Sequence, residues 1–295
     1  MNPRYAAHGF ARPAGVMRYV DTGAGPEVVL VHGNPTWSFH FRALIGLLAA
    51  DHRVVAPDHL GMGRSDTPSP GYAYDLAARV EDFGALLDHL RVGVARPATL
   101  VVHDWGGAVA LSWAVRNPER VGRLVLLNTA AFPPLDDRLP LPLRLARTPV
   151  VGDLLVGGAN AFVHGALRFG MRRGRLPAHI RRAYLWPYRT WGRREAVLRF
   201  VRDIPVRPGD RSWDLLARTG ERLDRLAGVP ALIVWGLRDP VLTPAYLARW
   251  RRLLPGAQVH AIPDAGHLVL EDAAEAVPLI AEFLARTAPD GVVPR

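Results

Sequence analysis

The sequence contains no cysteine and no lysine, so all 37 of its Lys-plus-Arg residues are arginine. Without cysteine, disulfide bonds and thiolate metal sites are excluded, and a reducing cytoplasm is the expected location. The 11 histidines show no metal-site spacing, and no apolar run reaches the length of a transmembrane helix. Residues 1–10 lack the apolar stretch of an export signal. We therefore expect a cytoplasmic protein that uses neither a metal nor another cofactor.

The positive charge is concentrated in one segment. The net charge is +10, and residues 133–224, with 18 arginines against 9 acidic residues, supply +9 of it. Such a surface either faces solvent or meets something anionic, such as a carboxylate substrate, an acidic partner or a membrane. The segment carries no nucleic-acid-binding motif and is rich in Leu, Trp and Pro, so we do not expect nucleic acid as a partner.

Short β-branched runs alternate with helical stretches along most of the chain, which predicts βαβ units and a mostly parallel sheet. Apolar runs such as Val28–Val31 are typical of strands that are buried on both faces. Six strands are predicted at Glu27–Val31, Arg53–Pro57, Thr99–His103, Arg123–Leu127, Ala231–Trp235 and Gln258–Ile262, with Met17–Val20 as an edge strand. Helices are predicted at Phe41–Ala49, Leu76–Leu90, Gly107–Arg116, Pro244–Leu254 and Ala273–Arg286.

This alternation is interrupted between Pro133 and about Asp224, where no strand pattern appears and Pro, Arg, Trp and Leu are frequent. It resumes at Val229. A stretch of this length between two strands is too long for a simple loop. We therefore predict an α/β core formed by residues 1–132 and 225–295, with residues 133–224 inserted as a helical lid.

The strongest chemical signal is Val101–Ala108, in which a strand runs through a tight turn into a helix that begins with small residues. This is the form of a nucleophile elbow, which holds one side chain out at the top of the sheet in the α/β-hydrolase fold. The usual central serine is replaced by Asp104. Taken alone, Asp104 is also compatible with a helix N-cap.

Two further side chains follow the next strands in the order of an α/β-hydrolase triad. Asp239 comes after Ala231–Trp235, and His267 comes after Gln258–Ile262. Alone, the first is typical of an Asp-Pro turn and the second of a structural histidine. Because the carboxyl ends of parallel strands meet at one edge, the set predicts a nucleophile, an acid and a base. The other position at which this fold places the acid holds Asn128, which does not ionise and is instead a candidate for lining the pocket beneath the lid.

The loop His32–Trp37 follows a predicted strand at the place where this fold positions an oxyanion-hole donor. The backbone N–H and the amide of Asn34, with the indole N–H of Trp105, are predicted to meet the anion that develops in the reaction. Alone, Asn34 also suits a turn and Trp105 also suits packing. A carboxylate nucleophile favours attack at sp³ carbon, which forms an alkyl ester and releases an anionic leaving group.

Three motifs resemble those of the haloalkane dehalogenase family, and the pairing of Asn128 with Asp239 resembles its third subfamily. Within that group, four further segments are similar to the β-lactone decarboxylases of bacterial long-chain olefin biosynthesis. The dehalogenase-like motifs are His32–Thr36, Asp58–Asp66 and Val102–Gly107. The decarboxylase-like segments are Leu127–Phe132, Asn160–Phe162, Leu198–Pro205 and Pro208–Arg211.

The resemblance implies a decarboxylase that converts cis-3,4-dialkyl β-lactones to cis-alkenes and CO₂. Asp104 would open the ring, and loss of CO₂ would release Asp104 without water. It implies a small hydrophobic substrate, held in an apolar tunnel beneath the lid. A partner enzyme of the olefin pathway, or a peripheral membrane contact, would then meet the arginine-rich segment.

Three alternatives stay open. A haloalkane dehalogenase shares every core residue but uses His267 to activate water on the ester. An epoxide hydrolase needs two lid tyrosines to protonate the ring oxygen, and Tyr184 and Tyr188, four residues apart on a predicted helix, are either those donors or packing residues. A non-catalytic binding module has no use for Asp104, Asp239 and His267 together.

Overall fold

Eight strands form a single sheet in the computed structural model, which describes residues 7–135 and 139–287. The strands are β1 Ala7–Arg12, β2 Gly15–Thr22, β3 Glu27–Val31, β4 Arg53–Pro57, β5 Ala98–Asp104, β6 Val121–Thr129, β7 Ala231–Gly236 and β8 Gln258–Ile262. Their order across the sheet is β1-β2-β4-β3-β5-β6-β7-β8. Pairing is antiparallel from β1 to β4 and parallel from β4 to β8, which confirms the predicted fold class.

The prediction that Met17–Val20 forms the edge strand is wrong. These residues lie in β2, which pairs with β4 on one side and β1 on the other. The edge is β1, and none of its residues is fully buried. A strand without a buried face lacks the apolar alternation by which strands are recognised in a sequence.

Helices cover both faces of the sheet. The α-helices in the described ranges are α1 Arg42–Leu48, α2 Leu76–His89, α3 Trp105–Ala114, α4 Leu141–Arg147, α5 Ala161–Phe169, α6 Ala178–Leu185, α7 Trp191–Arg202, α8 Trp213–Glu221, α9 Pro244–Leu253, α10 Val269–Asp272 and α11 Ala276–Arg286. The boundaries follow local chemistry: the Asp75 carboxylate accepts the N–H of Ala78 at the start of α2, and α9 opens on Pro244. No helix in these ranges is long and apolar enough to cross a membrane.

Two apolar clusters fix the sheet between its helices. One face packs on α2, α3 and α9 through side chains that include Phe83, Trp113 and Trp250. The other face packs on α1 and α11 through side chains that include Phe41 and Phe283. Each large side chain buried in this way contributes about 1.5–3 kcal/mol. This packing holds the carboxyl ends of the parallel strands rigidly along one edge.

The segment between β6 and β7 is helical, and α4 to α7 share a third apolar cluster above that edge. In contrast, α8 packs on the core: Leu216 belongs to the cluster around α3, as does Leu223 just after the helix, and the hydroxyls of Ser112 and Thr219 lie 2.8 Å apart. The division at residues 133 and 224 stays a prediction, and this packing favours an earlier end of the lid, before α8.

Candidate active site

Asp104 lies at the turn between β5 and α3. Its backbone has φ 53° and ψ −129°, the strained geometry of a nucleophile elbow, and its carboxylate makes no capping hydrogen bond to α3. The hydroxyl of Thr129 donates to the backbone oxygen of Asp104 at 2.5 Å and so helps to hold the turn. Gly33 leaves room for the carboxylate, because a Cβ at that position would collide with Oδ1 of Asp104. The side chain is therefore available for chemistry.

The structure brings Asp104, Asp239 and His267 together. Nδ1 of His267 lies 2.7 Å from Oδ2 of Asp239, and Nε2 lies 3.5 Å from Oδ2 of Asp104. The ring of His103 holds the same loop, since its Nε2 donates to the backbone oxygen of His267 at 2.9 Å. The imidazole is thus oriented between two carboxylates, which is the geometry that a base and its orienting acid require.

Burial and charge oppose each other at these three groups. Burial raises the pKa of Asp104, and the charge of His267 counteracts that rise. Burial alone would lower the pKa of His267, but the charges of Asp239 and Asp104 raise it to about 9. The pKa of Asp239 is lowered despite burial, because His267 and two backbone N–H groups stabilise its charge. His267 therefore favours its protonated form at neutral pH, beside the charged carboxylate of Asp239.

Asn128 supports the acid and lies away from the cavity. Its Nδ2 donates to Oδ2 of Asp239 at 2.9 Å and to the backbone oxygen of Gly236 at 3.1 Å, while its Oδ1 accepts from Gly236 N. The other carboxylate oxygen of Asp239 accepts from the N–H groups of Val241 and Leu242 at 2.8 and 3.0 Å. Asn128, expected as a pocket residue, thus positions the acid instead.

Asn34 and Trp105 both line the cavity above Asp104. The backbone N–H of Asn34, expected to meet a developing anion, donates to Oδ1 of Asp104 at 2.7 Å and so binds the nucleophile itself. The amide Nδ2 of Asn34 donates one hydrogen to the backbone oxygen of Val197 at 3.1 Å, and its second hydrogen has no partner among the described residues. Oδ2 of Asp104 remains as the oxygen that faces His267.

The cavity has a volume of about 700 Å³ and lies between the strand ends and the lid. Polar lining residues are few: Asn34, Asp104 and His267 meet at its floor, and Arg172 and Tyr246 also line it. Its other walls are almost entirely apolar, with side chains that include Phe132, Leu139, Leu143, Val156, Phe162, Ala166, Val201, Ile204, Leu216 and Leu242. In the described part of the chain, no group of three or more His, Asp and Glu is arranged to hold a metal ion. The cavity therefore suits an apolar ligand with one reactive polar centre.

Of the two roles left open for Tyr184 and Tyr188, the structure contradicts the pocket-facing one. Both are fully buried, and neither lines the cavity. The hydroxyl of Tyr184 donates to Glu271 at 2.5 Å, and that of Tyr188 donates to the backbone oxygen of Thr36 at 3.3 Å. Because α6 ends at Leu185, the two tyrosines do not share one helix face. They serve as packing residues.

A buried cation that no sequence pattern indicated lies behind the site. Arg79 is 1% exposed, and its guanidinium, which has no hydrogen-bond partner in the described residues, lies 3.4 Å over the ring of Phe200. Phe200 in turn packs on Trp105, with ring centroids 5.4 Å apart. A cation–π contact therefore supports the ring that lies beside the indole next to the nucleophile.

Comparison with known proteins agrees with this geometry. The sequence model of the α/β-hydrolase fold family matches residues 26–274. A cis-3-alkyl-4-alkyloxetan-2-one decarboxylase from Shewanella oneidensis is 45% identical over 96% of this chain and 89% of its own length. Haloalkane dehalogenase 2 from Mycobacterium bovis is 32% identical over 91% of both chains. The crystal structure of haloalkane dehalogenase DbeA from Bradyrhizobium elkani USDA94 has a TM-score of 0.85 and 29% identity, and the match covers 96% of this chain and 98% of that one.

These similarities confirm the resemblance that the motifs indicated, to decarboxylases and, more distantly, to dehalogenases. The elbow, the strand order and the matched family agree with one another. The chain is an enzyme of the α/β-hydrolase fold family and belongs to the group that contains cis-3-alkyl-4-alkyloxetan-2-one decarboxylases and haloalkane dehalogenases.

Proposed function

We propose that this chain is a β-lactone decarboxylase that converts cis-3,4-dialkyl oxetan-2-ones to cis-alkenes and CO₂. The observation that carries the proposal is one reactive carboxylate, Asp104, at the floor of an apolar cavity of about 700 Å³. A β-lactone with two alkyl chains has this form, since one small polar ring joins two apolar arms. The 45% identity to a relative named for this reaction supports the same substrate class.

The first step is ring opening. Oδ2 of Asp104, the oxygen that faces His267, attacks the ring carbon that bears oxygen. A carbon–oxygen bond to Asp104 forms while the ring carbon–oxygen bond breaks, and the ring oxygen leaves as part of a carboxylate. The free amide hydrogen of Asn34 and the indole N–H of Trp105 are the donors proposed for this carboxylate. Relief of ring strain favours the step.

The second step is loss of CO₂. The bond between carbon and the freed carboxylate breaks, its electron pair becomes the double bond, and the bond to Asp104 breaks. The carboxylate of Asp104 is thereby regenerated, and no water is consumed. His267, whose pKa is raised to about 9, is positively charged at neutral pH and stabilises the carboxylate as it departs.

Dehalogenation is the second candidate, because a solved dehalogenase shares the fold at a TM-score of 0.85. That reaction needs His267 to take a proton from water once the ester has formed. Esterification removes the charge of Asp104, which is one of the charges that raise the pKa of His267, so the imidazole becomes a better base at that stage. Epoxide hydrolysis is not proposed, because Tyr184 and Tyr188 do not line the cavity.

The proposal carries three wider expectations. The substrate is a small, long-chain hydrophobic molecule, the enzyme works in the cytoplasm, and it assembles with the other enzymes of an olefin-forming pathway. The assembly follows from the substrate class, because a water-insoluble lactone benefits from direct transfer between enzymes. Gel filtration of the chain with the enzyme that supplies the lactone tests the assembly.

Two substrates separate the two activities. The purified enzyme is offered a synthetic cis-β-lactone and, separately, a 1-bromoalkane. Gas chromatography follows alkene, and halide release follows dehalogenation. We expect alkene from the lactone and little or no bromide. Bromide release with no lactone turnover would replace the decarboxylase proposal by the dehalogenase one.

The variant His267→Phe separates the mechanisms. In a dehalogenase, ester formation proceeds and hydrolysis stops, so one alkyl adduct stays on Asp104. In a decarboxylase the ester collapses without water, so the lactone is turned over more slowly and no long-lived adduct builds up. Intact-protein mass spectrometry reads the difference, with the exposed His260→Phe as the matched control. A stable lactone adduct that keeps its carboxylate contradicts the water-free step.

A further inference from the structure

Exposed apolar side chains are concentrated on one part of the lid. The described residues contain eleven large hydrophobic side chains that are clearly exposed, and seven of them lie between Leu141 and Phe169. We call these seven the apolar rim: Leu141, Leu145, Val150, Val151, Leu154, Leu155 and Phe169. Single exposed apolar residues are ordinary, whereas a concentration of this kind marks a contact surface.

The apolar rim is continuous with the cavity. Leu141, Leu145, Leu155 and Phe169 all line the cavity, although they are 62, 42, 36 and 58% exposed. In α4, Leu141 and Leu145 lie one turn apart, while Leu143 between them is buried in the lid cluster. The mouth of the cavity is therefore surrounded by apolar side chains that also face outward.

The segment that carries the apolar rim is also rich in arginine. Residues 139–175 contain six arginines and one acidic residue, Asp153, whose carboxylate is paired with Arg202 at 2.9 Å. Of the six, Arg173 is paired with Asp264 and Glu275. Arg144 and Arg168 are exposed and form no ion pair within the described ranges, and the guanidinium of Arg168 lies 5.5 Å from the ring centre of Phe169. Asp136 and Asp137 precede this stretch in the sequence and lie outside the described residues.

We propose that the apolar rim docks on the surface of an anionic phospholipid bilayer, so that the cavity opens toward the acyl chains. Exposed Leu, Val and Phe beside unpaired arginines match the two layers of that surface, the acyl boundary and the anionic headgroups. An apolar ligand would then pass from bilayer to cavity without crossing water. This inference goes beyond decarboxylation, because it requires only that the ligand be apolar.

Vesicle binding tests the proposal without any substrate. The purified full-length chain is sedimented with vesicles of phosphatidylglycerol and phosphatidylcholine, or of phosphatidylcholine alone, at low and high salt. We expect binding to the anionic vesicles that weakens as salt rises, and much weaker binding to the neutral ones. Because no turnover is measured, failure here leaves the proposed reaction untouched, and failure of the reaction leaves this result untouched.

Two variants locate the surface. Leu154→Glu places a charge in the apolar rim at a 59% exposed side chain that does not line the cavity, and should abolish most of the binding. The double variant Arg144→Gln, Arg168→Gln removes two charges and should weaken anionic-vesicle binding about fivefold for each arginine. The matched controls are Leu47→Glu, at a 47% exposed side chain of α1, and Arg251→Gln with Arg252→Gln on α9, which should bind like the wild type.

Three outcomes would overturn the proposal. The first is no binding to either kind of vesicle. The second is binding that Leu154→Glu and the arginine variant leave unchanged, since the contact would then lie elsewhere. The third is a dimer in sedimentation velocity that Leu154→Glu dissociates while vesicles bind neither form, in which case a second copy of the chain covers the apolar rim.

Discussion

The floor of the cavity is formed by the strand ends and its roof by the lid, and the two differ in what holds their side chains in place. At the floor, Asp239 accepts hydrogen bonds from Asn128, Val241 and Leu242 and contacts His267, so its carboxylate has one orientation. At the roof, the described side chains that line the cavity are apolar except for Arg172, and the apolar ones are held by packing. Hydrogen bonds are directional and fix the positions of individual atoms, whereas apolar packing fixes mainly the volume that the side chains fill. We therefore expect changes at the floor to alter chemistry and changes at the roof to alter substrate choice.

The largest effect should come from Asp104→Asn, which removes the nucleophile and keeps its shape. We expect turnover to fall roughly 10⁴-fold or more, because covalent catalysis has no substitute group at this site. Thermal unfolding should show that the fold is retained, since asparagine tolerates a positive φ. Asp214→Asn, at an exposed residue of α8, is the control. Substantial residual turnover would show that Asp104 does not form the covalent bond.

A smaller effect is expected from His267, which lies at the floor and contributes to the free energy of unfolding. The pKa of His267 is raised from 6.5 to about 9 in the folded protein, although burial opposes the rise. Its contribution to the free energy of unfolding is therefore complete below pH 6.5 and is lost as the pH rises through 9, by about 3 kcal/mol. Urea unfolding at pH 6, 7.5 and 9.5 measures how the free energy of unfolding changes with pH, and we expect a smaller change in Asp239→Asn. An equally steep fall of the free energy of unfolding with pH in Asp239→Asn would show that Asp239 does not raise the pKa of His267.

The smallest effect should come from the roof. Ala166 lines the cavity from α5, and Ala166→Phe fills part of the apolar space. We expect the KM of a long-chain substrate to rise about tenfold, with kcat and short-chain turnover changed by less than about twofold. Ala178→Phe, at an exposed position of α6 outside the cavity, is the matched control. A fall in kcat alone, equal for long-chain and short-chain substrates, would show that the roof also affects the chemistry and would contradict the contrast between roof and floor.

The same contrast explains how much of the molecule could be predicted from its sequence. The six parallel-sheet strands were found within about two residues, and the five that are largely buried, β3 to β7, carry a continuous apolar pattern. The topology places the carboxyl ends of neighbouring parallel strands at one edge of the sheet. It could therefore be predicted that three side chains meet there, those of Asp104, Asp239 and His267. Their catalytic roles remain predictions.

The roof could not be predicted in the same way, because helix packing decides which face points inward. The spacing of Tyr184 and Tyr188 suggested a shared face, but α6 ends between them. The Asn34 backbone N–H was assigned to the developing anion, whereas it binds Asp104, a contact that depends on how two loops approach each other. Arg79 gave no signal at all, since a buried unpaired cation follows no sequence pattern.

The position of the lid in the sheet has a consequence for how such enzymes diversify. The chain leaves β6 at Thr129 and returns at Ala231 in β7, its immediate neighbour, so about 100 residues form one excursion between adjacent strands. Closing such an excursion becomes only slightly more costly as it lengthens, by about 0.6 kcal/mol for each doubling. A different lid can thus be accommodated at little cost in chain-closure entropy, and we expect a lid transplanted from a relative to bring a new substrate range to the same set of reacting atoms.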